Sequence, residues 1–340
     1  MEERTLRIVS IGGGTGLSTL LLGLKRRIVA GSDRFKLDVT AVVTVTDDGG
    51  SSGRLRREFD VLPPGDIRNC MVALSKDDDL LSQLFQYRFP SGRGLKGHSF
   101  GNLFLTALTN LTGDFAHAVQ KSSEILRTAG KIYPSTSANV RIRAVLEDGS
   151  LVEGESKISR SRSRIREISL IPETCQPLEE TLAAIREADL ITVGPGSLYT
   201  SIIPNVLVSG IPAAIRRSKA ITACFMNLMS QPGETTGLTA ADHIEAIERH
   251  AHTKLIDVVV VNTASIKPSL KRRYAAERAH PVEVDRDRLT AMGLTVLGRD
   301  LLAESEKVRH DPDAIAEVAV QLAAAGRRRK LKQPARSVTR

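Results

Sequence analysis

Apolar and polar positions along this chain fall into two alternating rhythms. Leu6-Arg-Ile-Val-Ser-Ile11 is a short apolar run that ends in Gly12-Gly-Gly-Thr-Gly16, and residues 17–28 then carry apolar positions at helical spacing. This predicts a strand, a glycine loop and a helix in immediate succession. Residues 37–45 are apolar and β-branched, which predicts a buried second strand, and they run into Thr46-Asp-Asp-Gly-Gly-Ser-Ser-Gly53, which predicts a loop. Pro63-Pro64-Gly65 halts the next segment. Residues 66–130 then read as mostly helical, with Asp66 placed to cap the first of these helices.

From Lys131 the period drops to two. Residues 140–147 lead into Asp148-Gly149, a hairpin signal, and residues 151–156 return. Arg160, Arg162, Arg164 and Arg166 alternate with Ser159, Ser161, Ser163 and Ile165. In an extended strand this sets four guanidiniums on one face, as a charged edge that resists aggregation or as an anion-binding or subunit-contact ribbon. Helix and strand alternate again after Pro177, with strands at 190–193, 221–229 and 256–261, a helix at 240–250 and a second glycine loop at Gly194-Pro-Gly-Ser197. Continuous apolar strands separated by helices imply an α/β fold with a mainly parallel sheet covered on both faces. The expected organisation is one domain over residues 1–326, with a helical insertion at 66–130 and a small β insertion at 131–172.

Composition narrows the class. Hydrophobic residues make up 41% and charged residues 26%, which excludes a largely disordered chain. Cys70, Cys175 and Cys224 are far apart, so a disulfide framework or a cysteine zinc site is not expected. No run of 18 apolar residues exists and the first residues lack a signal-peptide core, so no transmembrane segment is expected and a cytoplasmic location is. The net charge is +9, but seven basic residues lie between Arg327 and Arg340; subtracting them leaves +2 for residues 1–326. The charge therefore belongs to an expected basic, solvated, disordered tail at 327–340, and no nucleic-acid partner is expected.

The candidate chemistry sits in the glycine-rich segments. Gly12, Gly13, Gly14, Thr15 and Gly16 after a first strand let a backbone approach a phosphate at a helix N-terminus. Leu17 occupies the third glycine position of a dinucleotide fingerprint, which disfavours a nicotinamide cofactor. Asp47 and Asp48, beside Ser51, Ser52 and Arg54, suit a divalent ion bridging a ligand phosphate, sugar hydroxyls, or a solvated turn. Asp66, Arg68 and Asn69 either shape the site through an ion pair or contact ligand. His98, Ser99 and Asn102 precede an apolar helix, where they either bind an anion or serve structure. Gly194, Gly196 and Ser197, with Asn205, repeat the strand–loop–helix arrangement, and two such loops suggest opposite sides of one crevice. Lys267-Pro-Ser-Leu-Lys-Arg-Arg-Tyr274 ends in an aromatic residue able to stack on a base, and Arg309-His310-Asp311 precedes the last helix; by local sequence, surface salt bridges are the better reading of both.

Ile11–Gly16, Thr46–Arg54, Pro64–Asn69, Gly97–Asn102 and Gly194–Ser201, in this order, resemble the bacterial gluconeogenesis-factor (YvcK-like) family, related to the CofD-like 2-phospho-L-lactate transferases. The resemblance covers roughly residues 6–325. It implies a Rossmann-like three-layer α/β/α core and a UDP-sugar ligand such as UDP-N-acetylglucosamine or UDP-glucose. It also implies a role in cell shape and wall synthesis during gluconeogenic growth. Tyr274 and Arg309 become sugar-nucleotide contacts on this basis. Some members are substrates of Ser/Thr protein kinases; Pro312 stands here where some relatives carry Thr, which leaves Ser337 and Thr339 as alternatives. A homo-oligomer is a further expected partner.

The expected site therefore has the diphosphate on Gly12–Gly16 and Gly194–Ser197. Asp47 and Asp48 hold hydroxyls or a Mg-bridged phosphate; His98, Ser99 and Asn102 complete a polar wall; Tyr274 and Arg309 close the uridine or sugar side. The rival expectation is a CofD-like Mg-dependent transferase of a phospholactyl-type group, with Asp47 or Asp48 on the metal.

Overall fold

The computed structural model describes residues 5–31, 35–76, 80–161, 163–304 and 306–332. Its strands are β1 (Thr5–Gly12), β2 (Lys36–Val43), β3 (Lys131–Pro134), β4 (Arg141–Leu146), β5 (Leu151–Glu153), β6 (Ile165–Ile171), β7 (Leu190–Val193), β8 (Ile221–Phe225), β9 (Val258–Asn262), β10 (Thr295–Arg299), β11 (Leu302–Glu304) and β12 (Val308–His310). The helices that matter here are α1 (Gly14–Ala30), α2 (Gly50–Phe59), α3 (Gly65–Leu74), α4 (Leu80–Gln86), α5 (Phe100–Thr112), α6 (Phe115–Ile125) and α7 (Glu155–Ile158). A π-helical turn follows at Leu198–Ile202. Toward the C-terminus lie α8 (Pro268–Ala276) and α9 (Pro312–Lys332).

The seven-stranded sheet has the order β10-β9-β8-β7-β1-β2-β3, and every neighbouring pair is parallel. The chain builds outward from β1 to β3, returns to the other side of β1, and builds outward from β7 to β10. The order thus reverses between β1 and β7, the place where an open parallel sheet leaves a crevice at its strand ends. Both glycine loops leave those two strands. β7 is buried at all four positions, as a strand covered by helices on both faces must be.

Three expectations shift. β3 pairs in parallel with β2, so Lys131–Pro134 is the edge of the main sheet, and the β insertion is the antiparallel sheet β5-β4-β6 over 141–171. A proline at the end of a short edge strand costs no ladder bond. The Asp-Gly hairpin lies where expected, joining β4 to β5. The arginine alternation is not one strand: α7 and a turn occupy 155–160, β6 begins only at Ile165, and Arg162 lies outside the described residues. The serines there bond locally instead, Ser161 to the Ser163 carbonyl and Ser159 to Glu234, so the face the pattern predicted does not form.

The third shift is at the basic end. α9 continues through Lys332, six residues into the expected tail. Three of its cations have carboxylate partners: Lys330 Nζ is 3.2 Å and Arg327 Nη1 3.8 Å from Asp189 Oδ1, and Arg329 Nη1 is 3.1 Å from Asp257 Oδ2. Asp189 is fully buried, and its other oxygen accepts the Arg7 amide at 2.9 Å. Ser337 and Thr339 lie outside the described residues. Among the described residues no single helix is long and apolar enough to cross a membrane.

Candidate functional site

β1 delivers the chain to Gly12, whose carbonyl accepts the Thr44 amide at 3.0 Å and Asn205 Nδ2 at 3.1 Å. Asn205 also donates to the Ser201 carbonyl at 2.7 Å, so it supports the loop from beneath. α1 then starts behind Gly13, which offers its amides no side-chain cap. Asp66 takes the Gly14 amide. The amides of Thr15 and Gly16 belong to the same first turn, where no intrahelical acceptor exists, and they border the cavity described below.

The second loop touches the first. A Cβ on Gly16 would collide with the Pro195 carbonyl, and the Gly194 amide donates to the Ile11 carbonyl at 3.0 Å. Its own polar groups, however, are largely engaged. The Gly196 amide donates to Asn227 Oδ1 at 3.1 Å, and Asn227 Nδ2 donates to the Gly196 carbonyl at 2.7 Å. Gln231 Nε2 donates to Ser197 Oγ at 2.8 Å. The buried Glu234 accepts from the Tyr199 amide at 3.3 Å and from the Thr200 hydroxyl at 3.0 Å. Burial pushes the Glu234 carboxyl above its ordinary range. The two loops converge as expected, but the free amides are those of α1; the second loop is a braced wall.

Between them lies a cavity of about 300 Å³. Gly13, Gly14, Thr15 and Gly16 form one side, and Pro195, Gly196, Ser197, Asn227 and Gln231 the other. Asp66 and Glu155 also line it, as do Leu228, Met229, Tyr274, Arg309 and His310. Tyr274 is held by its hydroxyl, which accepts the Val308 amide at 3.1 Å, and Arg273 lies 5.7 Å from its ring centroid. Arg309 is exposed.

The acidic lining is electrostatically tight. A Cβ on Gly13 would lie 2.6 Å from Asp66 Oδ2, so only a glycine lets that carboxylate reach the loop. Burial, and then the charge of Asp47, push Asp66 up to about 7. Burial, followed by the charges of Asp47 and Asp66, push Glu155 up to about 9. Asp47 and Asp48 themselves do not line the cavity and diverge: Asp47 Oδ1 accepts the Gly49 amide at 2.8 Å, and Asp48 Oδ1 accepts the Ser156 amide at 2.8 Å. Each thus spends one oxygen on a different backbone amide. Among the described residues no group of three or more His, Cys, Asp or Glu side chains converges to hold a metal ion.

The remaining expected contacts lie outside the cavity lining. Gly50 to Gly53 form the first turn of α2 rather than a loop. Ser51 Oγ is 3.0 Å from His98 Nδ1, and Asn102 Nδ2 donates to Ser52 Oγ at 3.3 Å. Burial, then Arg54, lowers the His98 pKa. Ser99 caps α5 by accepting the Asn102 amide at 3.4 Å, so that helix end is closed by its own side chain rather than open to an anion. Arg68 donates to Ser99 Oγ at 2.8 Å and to Asn69 Oδ1 at 2.5 Å, and Arg54 to the Lys96 carbonyl at 2.8 Å. These groups tie α2, α3 and α5 together behind Asp66. Asp66 lies in the first turn of α3, whose N-cap is Pro64.

The sequence reading missed Glu155, Asn227, Gln231 and Glu234. Asn227 falls inside the strand expected at 221–229, whereas β8 ends at Phe225, which frees Asn227 for the loop.

Residues 8–302 match the family described as 2-phospho-L-lactate transferase CofD. The chain is 48% identical over 317 residues to a gluconeogenesis factor of Bacillus subtilis (strain 168), covering 93% of this chain and 98% of the relative. It is 45% identical over 315 residues to a gluconeogenesis factor of Halalkalibacterium halodurans, covering 92% and 95%. A crystal structure of a Bacillus halodurans protein of the UPF0052 family superposes with a TM-score of 0.88 at 44% identity, covering 94% of this chain and 99% of that one. The chain thus belongs to the CofD family and, within it, to the bacterial gluconeogenesis factors.

Proposed function

We propose that this protein is a cytoplasmic UDP-sugar-binding regulator acting in cell shape and wall synthesis during gluconeogenic growth. The observation that carries the reading is the α1 N-terminus, whose Thr15 and Gly16 amides border a cavity at the reversal of strand order. Uncapped amides and the positive end of a helix favour a diphosphate there. Tyr274, Leu228 and Met229 then offer a flat apolar surface to the base, with Arg309 beside it. Asp66 and Glu155, raised toward their protonated forms, suit hydrogen bonds to sugar hydroxyls. Calorimetry with UDP-N-acetylglucosamine tests the reading: saturable heat and thermal stabilisation are expected, and neither at millimolar ligand rejects it.

A second reading, a CofD-like transfer of a phospholactyl-type group, is favoured by the two cavity-facing carboxyls and the family description. It predicts product formation from a nucleotide diphosphate donor, lost on chelation of divalent ions. Tight UDP-sugar binding without turnover removes it.

A further inference from the structure

The helical insertion has an unusual surface. Between Leu80 and Gly113 the chain carries no acidic residue. Among the described residues ten large apolar side chains are exposed, and five of them, Leu80, Leu84, Tyr87, Leu95 and Leu111, fall in this one stretch. Exposed apolar residues scattered singly are ordinary; their concentration on one insertion marks an interaction surface. Asp77, Asp78 and Asp79, before α4, lie outside the described residues; the hairpin considered next leaves the other end of that helix.

After α4 the chain folds back on itself over Tyr87–Phe100. The Phe100 amide donates to the Tyr87 carbonyl at 2.9 Å, the Phe89 amide to the His98 carbonyl at 3.0 Å and the Gly97 amide to the Phe89 carbonyl at 2.8 Å. Gly92, Gly94 and Gly97 have positive φ, which lets so short a hairpin close. Residues 90–96 are exposed. Arg88 donates to the Gly97 carbonyl at 2.6 Å, and Arg54, from α2, donates to the Lys96 carbonyl at 2.8 Å. A carbonyl carries no net charge, so both guanidiniums keep theirs. Arg54, Arg88, Arg93 and Lys96 have no carboxylate partner among the described residues. At His98, Glu58 opposes the charges of Arg54 and Arg88.

The hairpin is thus cationic and exposes Tyr87 and Leu95 beside its charges. Self-association through this face would set cation against cation, because a two-fold contact pairs a patch with itself. A nucleic acid would answer the charge but leave the leucines in water. An anionic bilayer answers both, since its phosphates take the cations and its interfacial zone takes the apolar side chains. We propose that the hairpin Tyr87–Phe100, with Arg54 beside it, docks on a bilayer rich in anionic lipid, with Tyr87 and Leu95 entering the interfacial zone. The surface is separate from the cavity, none of whose lining residues belongs to it, so it stands or falls independently of the nucleotide-sugar reading.

The test is co-sedimentation of the full chain with vesicles of phosphatidylcholine, alone or mixed with phosphatidylglycerol. Binding to the mixed vesicles is expected to be at least about tenfold tighter than to phosphatidylcholine alone and to weaken as salt rises. Arg93→Glu combined with Lys96→Glu is expected to remove the preference. Leu95→Ser is expected to weaken binding at least about threefold at constant charge. All three positions are exposed, and circular dichroism checks that the variants stay folded. No preference for the mixed vesicles overturns the proposal. A preference that survives the charge reversal also overturns it and moves the contact elsewhere, the basic end of α9 included. Binding lost on charge reversal but untouched by Leu95→Ser marks a surface for polyanions in general, nucleic acid among them, and overturns the bilayer assignment.

Discussion

Asn227 grips Gly196 from both sides, donating to its carbonyl at 2.7 Å and accepting from its amide at 3.1 Å. The clasp fixes the second glycine loop against the end of β8 and spends the loop's own donor on protein. Asn227→Ala leaves both backbone groups of Gly196 unmet. We expect a stability loss of about 1–3 kcal/mol in denaturant unfolding, together with weaker UDP-sugar binding, because the loop walls the cavity. Unchanged stability and affinity would show that the clasp is incidental.

The contact between the loops gives a sharper lesion. Gly16→Ala puts a methyl group into the Pro195 carbonyl, a backbone atom that cannot rotate away. The two loops must then separate. Ligand binding is expected to fall by more than about tenfold while the circular dichroism stays native, since the cost is local and of order 1–3 kcal/mol. Wild-type affinity in this variant would mean that the first turn of α1 is not the anion site.

The acidic lining sets a pH dependence of known sign. Asp66 titrates near 7 and Glu155 near 9 in the folded chain, against ordinary values of 3.8 and 4.5. The native state therefore holds protons that the unfolded state has already released. Their contribution is fully favourable at acid pH and is lost as pH rises through 7 for Asp66 and through 9 for Glu155. Glu155→Gln is expected to flatten the fall in stability toward pH 9, and Asp66→Asn the fall toward pH 7. Thermal unfolding across this range checks both; a wild-type curve that rises with pH contradicts the cluster.

At the opposite end of the sheet, Asp189 anchors the last helix through Lys330 and Arg327 and also accepts the Arg7 amide. Asp189→Ala removes the buried partner of all three. A loss of about 3 kcal/mol is expected in chemical denaturation. Lys330→Ala alone should cost far less, since its side chain is partly exposed and Arg327 remains.

These residues show what was readable in the sequence. β1, β2, β7, β8 and β9, with α1 and both glycine loops, were legible because each is written in a local pattern of apolar runs, glycines and helical spacing. The convergence of the loops followed from two such patterns in one parallel sheet. Asp47 and Asp48 looked like a pair because they are adjacent, yet Asp48 turns to the Ser156 amide at the start of α7, a partner 108 positions away. His98, Ser99 and Asn102 fit an anion site or a structural role equally in sequence, because a capped helix start and an open one share the same residue types; here Ser99 caps α5 and Asn102 bonds Ser52. The basic end of α9 looked like a tail because its carboxylate partners, Asp189 and Asp257, lie far back in the chain. Asn227, Gln231 and Glu234 act by bracing a loop, and bracing depends on tertiary contacts that spacing does not encode.

A crystal structure of the protein soaked with UDP-N-acetylglucosamine tests the central claim most directly. The account predicts phosphate oxygens about 3 Å from the amides of Thr15 and Gly16, with the base against Tyr274. A diphosphate held instead among Ser51, His98 and Asn102, or a sugar nucleotide bound away from the start of α1, would contradict it.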